Sequence, residues 1–363
     1  MKKISLFDIS TEKEIKNKFL DGLEDLIEKN QWIMGKDVID FENSFAEYLK
    51  VKKAASVNSG TDALELSLRG LGIGVNDKVI VPALSFFATS EAVLKVGAIP
   101  IYSDVYINDL NIDINSIKNL VDEKTKAIIP VHLFGNPANM SEIKEFATDS
   151  EIVIIEDVAQ AFGSNFEEAP LGSIGDVGCF SFYPTKNLGA YGDGGCVVTN
   201  NQELYEKILT LRNHGQTKKY YHEYIGYNSR LDTIQAKILN IKLTNINNEL
   251  NTRKKISSEY FQKLSDNKSI KVHTTGDFPL NLFPVSFINK KILNKVKNNL
   301  EKNNVEFGIY YPYGLHQFPI SKHTGRKLKN VEWATENVIT LPNHPNLTND
   351  EINFISNLIN SST

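Results

Sequence analysis

The chain has 363 residues, 41% of them hydrophobic and 23% charged, with a net charge of −4 at neutral pH. That length holds enough apolar material for two or three folding units, and the mixed, faintly acidic charge excludes field-driven binding to nucleic acid or a membrane surface. Two cysteines, Cys179 and Cys196, sit in apolar strand-like surroundings without CxxC spacing, which excludes a disulfide framework and argues against a metal site. Residues 11–30 carry Ile15, Phe19, Leu23, Leu26 and Ile27 at helical spacing and predict an amphipathic helix. The break at Gln31–Gly35 reads as a loop around a buried Trp32, followed by a second helix from Val38 to Leu49.

Val51 to Asn58 leads into Ser59-Gly60-Thr61-Asp62, after which Leu64, Leu68 and Leu71 share one helical face. Ser59 with Asp62 matches a capping box, and the free N–H groups of that first helical turn suit an anion. Between 78 and 135, strand-like runs (Lys78–Pro82, Ile99–Val105, Ala127–Leu133) alternate with helical patterns (Ser85–Val96, Ile114–Val121). The alternation predicts an α/β fold, a mainly parallel sheet flanked by helices. Phe86, just past a strand end, is placed to lie over a flat ring, whereas His132 reads as a core histidine.

Glu151–Ile155 is an apolar run that delivers Asp157 to the C-terminal end of a buried strand, where open α/β sheets bind ligands. A second β-rich run, Asp176–Tyr183, stops at Pro184-Thr185-Lys186, and Gly189, Gly192, Gly194 and Gly195 follow. Lysine in such a glycine-rich turn is placed like a nucleophile. One cofactor uses both residues: pyridoxal 5'-phosphate is held by a lysine as a Schiff base while an acid keeps its pyridine nitrogen protonated. Gln160, three residues beyond Asp157, can face the same ligand, and Ser181 precedes the lysine by five residues.

The polar, tyrosine-rich stretch Leu211–Ile234 is too long to be an idle connection. A long helix is predicted from Leu231 to Leu264, with the domain boundary inside it: residues 1–246 form a large domain, the first ten or so of them expected to pack on the small one, and 247–363 a smaller α+β domain. In the latter, strands fall within Lys271–Phe287, a helix over Lys290–Asn303 and a strand over Val305–Tyr311. Tyr310, Tyr311, Tyr313 and His316 form a polar aromatic cluster, either a surface hairpin or a sugar contact. The opening MKKISLFDIS turns polar too soon for a secretory signal and no run of 18 apolar residues occurs, so a cytoplasmic protein is expected.

SFYPTKNLGAYGDGG, together with EDVAQAFGS and GTDALELSL, resembles the DegT/DnrJ/StrS family of fold-type-I sugar aminotransferases, over nearly the whole chain from about residue 10. The resemblance implies a homodimer with pyridoxal 5'-phosphate on Lys186, its ring nitrogen on Asp157, its face under Phe86 and its phenolic oxygen on Gln160. Gly60, Thr61 and Ser181 would hold the phosphate, with Asn228 of the partner subunit reaching across. Tyr183, Tyr221 and His316 would touch substrate, and no metal is implied. The amine of L-glutamate would pass to a dTDP- or UDP-linked keto-deoxysugar. KKYYHEYIGYNSRLDTIQA is most similar to members acting at C3 of a 3-keto-6-deoxyhexose, with 4-keto members close behind. Sugar dehydratases of this scaffold replace the lysine by histidine, and the intact Asp157, Gln160, Ser181 and Lys186 set argues against a regulator that only binds cofactor.

Overall fold

The computed structural model describes residues 3–321 and 326–363. Seven short apolar runs, β1 (Lys53–Val57), β2 (Lys78–Pro82), β3 (Ile99–Ser103), β4 (Thr125–Ile128), β5 (Val153–Asp157), β6 (Val177–Ser181) and β7 (Gly195–Thr199), form one sheet in the order β1-β7-β6-β5-β4-β2-β3. Every pairing is parallel except the two made by β7. Helices pack on both faces, which is why these strands read as continuous apolar runs rather than alternating ones. The expected α/β class and mainly parallel sheet are borne out.

Four helices precede β3 along the chain: α1 (Lys13–Lys29), α2 (Lys36–Tyr48), α3 (Gly60–Gly70) and α4 (Phe87–Lys95). The Ser59 hydroxyl accepts from the Asp62 N–H at 3.1 Å, capping α3. Only half of the expected capping box forms, because the Asp62 carboxylate accepts instead from the Ser229 hydroxyl at 2.7 Å. Helix α4 is shorter than predicted and starts at Phe87, with Phe86 as its N-cap residue.

The long helix Thr233–Leu264 runs without a break and changes partners along its length. Ile246 and Leu250 pack with Phe41 and Phe45 of α2. Ile256, Tyr260 and Leu264 belong to a second core with Phe283, Phe287 and Val296. That core is covered by an antiparallel sheet of β8 (Ile270–Val272), β9 (Phe283–Phe287) and β10 (Val338–Leu341) and by the helices Lys290–Lys302 and Asn349–Asn360. Ile4 joins it through a parallel bridge to Val305.

Two sequence expectations fail here. Val305–Tyr311 is not a strand: it makes only single bridges, Ile4 to Val305 and Gly308 to Thr340, and its last residue, Tyr311, meets Gln160 just beyond the seven-stranded sheet. Trp32 is not buried either but 41% exposed, beside Ile33 and Met34, which are at least as open. The backbone of this loop is tied to the start of the long helix by Thr233 N–H to Trp32 C=O at 3.0 Å and by a bridge from Ile33 to Asp232, so its side chains face outward.

Candidate active site

Strands β1, β2, β5 and β6 run the same way, so the residues that follow them gather on one edge of the sheet. Gly60 follows β1, Phe86 follows β2, Asp157 ends β5 and Ser181 ends β6. A Cβ on Gly60 would stand 2.7 Å from the Ser181 Cβ, so glycine is what lets the N-terminus of α3 touch the end of β6. The free N–H groups of Gly60 and Thr61 and the Ser181 hydroxyl thereby share one small region, a cradle for an anion.

Chain geometry also shapes the lysine turn. Lys186 N–H donates to Tyr183 C=O at 2.8 Å and Ala190 N–H to Phe182 C=O at 2.8 Å. A Cβ on Gly189 would lie 2.4 Å from the Pro184 carbonyl oxygen, so the tight return requires glycine there. The second core braces the turn: Asn281 Nδ2 donates to Thr185 C=O at 2.9 Å, and Asn187 Nδ2 donates to Phe162 C=O and Pro279 C=O at 3.0 and 2.8 Å.

Asp157 is buried, and its carboxylate accepts from the Thr89 hydroxyl at 2.9 Å and from Ala159 N–H at 3.1 Å. Burial pushes its acidity down, raising the pKa above the usual carboxylate range against the pull of those donors and of Lys186. Burial likewise lowers Lys186 to about 8, with Asp157 pulling the other way. An amine at that value is about one-tenth unprotonated at pH 7, far more than an ordinary lysine, and that fraction is nucleophilic.

Gln160 is held in one orientation. Its Oε1 accepts from Phe134 N–H at 2.8 Å, which turns Nε2 toward the site, where one N–H reaches the Tyr311 hydroxyl at 2.9 Å. The amide has a second N–H to give. Phe86, 59% exposed, presents its ring at the mouth, 6.2 Å from that of Tyr311. These groups fit pyridoxal phosphate: an anion cradle, a desolvated acid with unused lone pairs for a ring N–H, an amide donor for a phenolic oxygen, an exposed aromatic face and a depressed lysine. A cavity of about 330 Å³ touches Lys186 from the other side of its turn, walled by Asp8, Thr11, Arg253 and His344, but none of Gly60, Phe86, Asp157 and Gln160 lines it. The groups that fit the ring thus lie along the open sheet edge rather than in this cavity.

The remaining sequence candidates lie further out. Asn228 is exposed, next to the buried Ser229. Tyr183 and Tyr221 are 53% and 56% exposed, while His316 is buried with Nε2 3.6 Å from the Glu332 carboxylate. His132 is a core residue, as expected: Nδ1 accepts from Ala138 N–H, which leaves the proton on Nε2 facing Glu156 at 3.1 Å. Sequence reasoning missed Thr89 and left Tyr311 within a general cluster. Thr89 lies one turn beyond Phe86 on α4, a spacing that could have flagged it. Tyr311 carries no local signal, because 151 residues separate it from Gln160.

Comparison with known proteins agrees with this geometry. Residues 13–360 match the DegT/DnrJ/EryC1/StrS aminotransferase family. A UDP-N-acetyl-3-dehydro-alpha-D-glucosamine 3-aminotransferase from Acidithiobacillus ferrooxidans is 38% identical over 95% of this chain and 94% of its own. A pleiotropic regulatory protein from Geobacillus stearothermophilus is 35% identical over 97% of this chain and 96% of its own. The crystal structure of S. venezuelae DesV, in complex with a ketimine intermediate, superposes with a TM-score of 0.94 at 32% identity, covering 99% of this chain and 98% of that one. With the family model spanning nearly its full length and the cofactor-fitting groups gathered on one sheet edge, the chain belongs to the DegT/DnrJ/EryC1/StrS aminotransferase family.

Proposed function

We propose that this aminotransferase moves the amino group of L-glutamate onto a dTDP- or UDP-linked keto-deoxysugar, at C3 of a 3-keto-6-deoxyhexose, in amino-sugar and glycan biosynthesis. The reading rests on one observation above all: the Gly60–Ser181 cradle, the exposed Phe86 ring, the buried Asp157 and the fixed Gln160 amide gather at one sheet edge beside the glycine-rich turn that carries Lys186. Pyridoxal phosphate, when bound, supplies the carbonyl that Lys186 attacks and the electron-withdrawing ring that stabilises a developing carbanion. Asp157 would accept the pyridine N–H and keep that ring cationic. Gln160 would donate its second amide N–H to the phenolic oxygen, Phe86 would cover the ring face, and Gly60, Thr61 and Ser181 would bind the phosphate. The Lys186 amine would take up a proton as general base and give it back as general acid.

Tyr183, Tyr221 and His316 are assigned to substrate. The exposed Tyr183 and Tyr221 offer hydroxyls and ring faces suited to a sugar nucleotide, whereas His316 would have to act from its buried place beside Glu332. A homodimer is part of the proposal, since the exposed Asn228 can reach a neighbouring subunit's phosphate and the outward Trp32, Ile33 and Met34 supply apolar surface for association. Among the described residues no helix is long and apolar enough to cross a membrane, and we place the enzyme in the cytoplasm. The 3-amino relative from A. ferrooxidans favours C3; amination of a 4-keto sugar is the second reading.

Borohydride reduction followed by peptide mapping should find the reduced cofactor on Lys186, and Lys186→Ala should lose at least about 10³-fold in turnover. Purified protein with glutamate and a panel of 3-keto and 4-keto nucleotide sugars should release 2-oxoglutarate with the 3-keto members. Turnover of the 4-keto members alone would overturn the C3 assignment, and label on another lysine would overturn the mechanism.

A further inference from the structure

Glu65, in the second turn of α3, is 2% exposed yet carries a carboxylate outside the chemistry described above. Lys95 Nζ, at the last residue of α4, reaches it at 2.6 Å, and Arg69 lies 3.4 Å away, itself donating to the Lys95 carbonyl at 3.1 Å. The Tyr227 hydroxyl also donates to it, with the Arg69 guanidinium 5.3 Å above the Tyr227 ring. One buried acid therefore joins α3, whose first turn forms the anion cradle, to α4, whose N-cap residue is Phe86, and to the loop that carries Asn228.

The loop is stitched to α3 at two points. Ser229 donates to the Asp62 carboxylate at 2.7 Å and accepts from Asn58 N–H at 3.2 Å, one helical turn before the Glu65–Tyr227 contact. Residues 227–229 run antiparallel to 211–214, with Tyr227 N–H on Leu211 C=O at 2.7 Å and Ser229 N–H on Arg212 C=O at 2.9 Å. In such an extended segment alternate side chains point to opposite sides. With Tyr227 and Ser229 both held on α3, Asn228 is forced outward, and it is the exposed member of the three.

We infer that Glu65 is a positioning residue for the cofactor's phosphate: with Tyr227 it fixes the outward aim of Asn228, and through Asn228 it tightens phosphate binding. The inference rests on the proposed function, which supplies the phosphate. Its signature is selectivity for the phosphate over the ring. Removing either partner frees the segment at one of its two stitches, so affinity for the phosphorylated cofactor falls while affinity for the ring alone does not.

Binding of pyridoxal 5'-phosphate and of pyridoxal, which lacks the phosphate, is followed by absorbance for the wild type, Glu65→Gln, Tyr227→Phe and Asn228→Ala, with melting curves to confirm that each is folded. The Kd for pyridoxal phosphate should rise about tenfold in the Glu65 and Tyr227 variants, while that for pyridoxal stays within about twofold. Combined with Asn228→Ala, Glu65→Gln should add almost nothing, because both act through one contact. Equal weakening of both ligands, no weakening, or full additivity with Asn228→Ala each overturns the inference. A wild-type chain that leaves Lys186 unlabelled by borohydride brings down the functional reading and this inference with it. Labelled Lys186 with unselective variants brings down the inference alone.

Discussion

Glu156 and Asp157 are adjacent carboxylates on one strand, both buried, and they point to opposite faces of the sheet with opposite consequences. Glu156 meets four donors: Gly172 N–H at 2.8 Å, Ile174 N–H at 2.8 Å, Gly175 N–H at 2.7 Å and His132 Nε2 at 3.1 Å. Burial opposes its ionisation, but those donors and the histidine win, and its pKa is lowered. Asp157 meets two donors, burial wins, and its pKa is raised. A surplus of donors makes a structural anion that closes the 172–175 loop; a deficit makes a group that still wants a partner. That deficit is what a cationic ring would fill.

Asp157→Asn should break the comparison on the functional side. It removes the acid that holds a ring N–H, so turnover should fall by at least about 10²-fold, while a urea melt finds the protein as stable as the wild type or more so. Substantial destabilisation would mean that Asp157 is structural like its neighbour. Glu156→Gln should do the reverse, losing about 3 kcal/mol of stability because buried N–H groups face a side chain with one fewer acceptor. Cofactor on Lys186 should survive in the folded fraction.

Acid titration sharpens the contrast through its sign. Glu156, lowered on folding from its ordinary value of 4.5, contributes stability above that pH that is lost as pH falls through the folded value. Asp157, raised from 3.8, binds its proton more readily when folded, so its ionisation costs stability at neutral pH and the cost disappears on acidification. Stability measured from about pH 6 to about pH 3 should therefore fall less steeply in Glu156→Gln than in the wild type, and more steeply in Asp157→Asn. The smallest effect is expected of Thr89→Val, which leaves Asp157 a single donor: stability should change by no more than about 1 kcal/mol. Turnover should drop about fivefold, checked by initial rates at saturating glutamate.

Residues whose position is dictated locally were legible in the sequence. The run Lys78–Pro82 is a strand as read, and Asp157 lies at the strand end that Glu151–Ile155 announced. Helix α3 and its serine cap follow from apolar spacing and one hydroxyl. What escaped depends on distant partners. Trp32 reads as core because tryptophan is apolar, yet only the loop's tie to residue 233 decides which way it faces. Val305–Tyr311 has β-rich composition but finds no strand beside it long enough to extend a sheet. The Glu65–Tyr227 contact spans 162 residues, and neither side chain differs locally from an ordinary helix or loop residue.

The reversed direction of β7 carries a further consequence. Leaving the lysine turn, the chain doubles back so that Gly195 presses on the Ser59 backbone, where even one added carbon would sit 2.3 Å from the carbonyl oxygen. The lysine turn and the first turn of α3 are thus welded edge to edge. Lengthening or shortening the excursion between 182 and 194 would displace both at once.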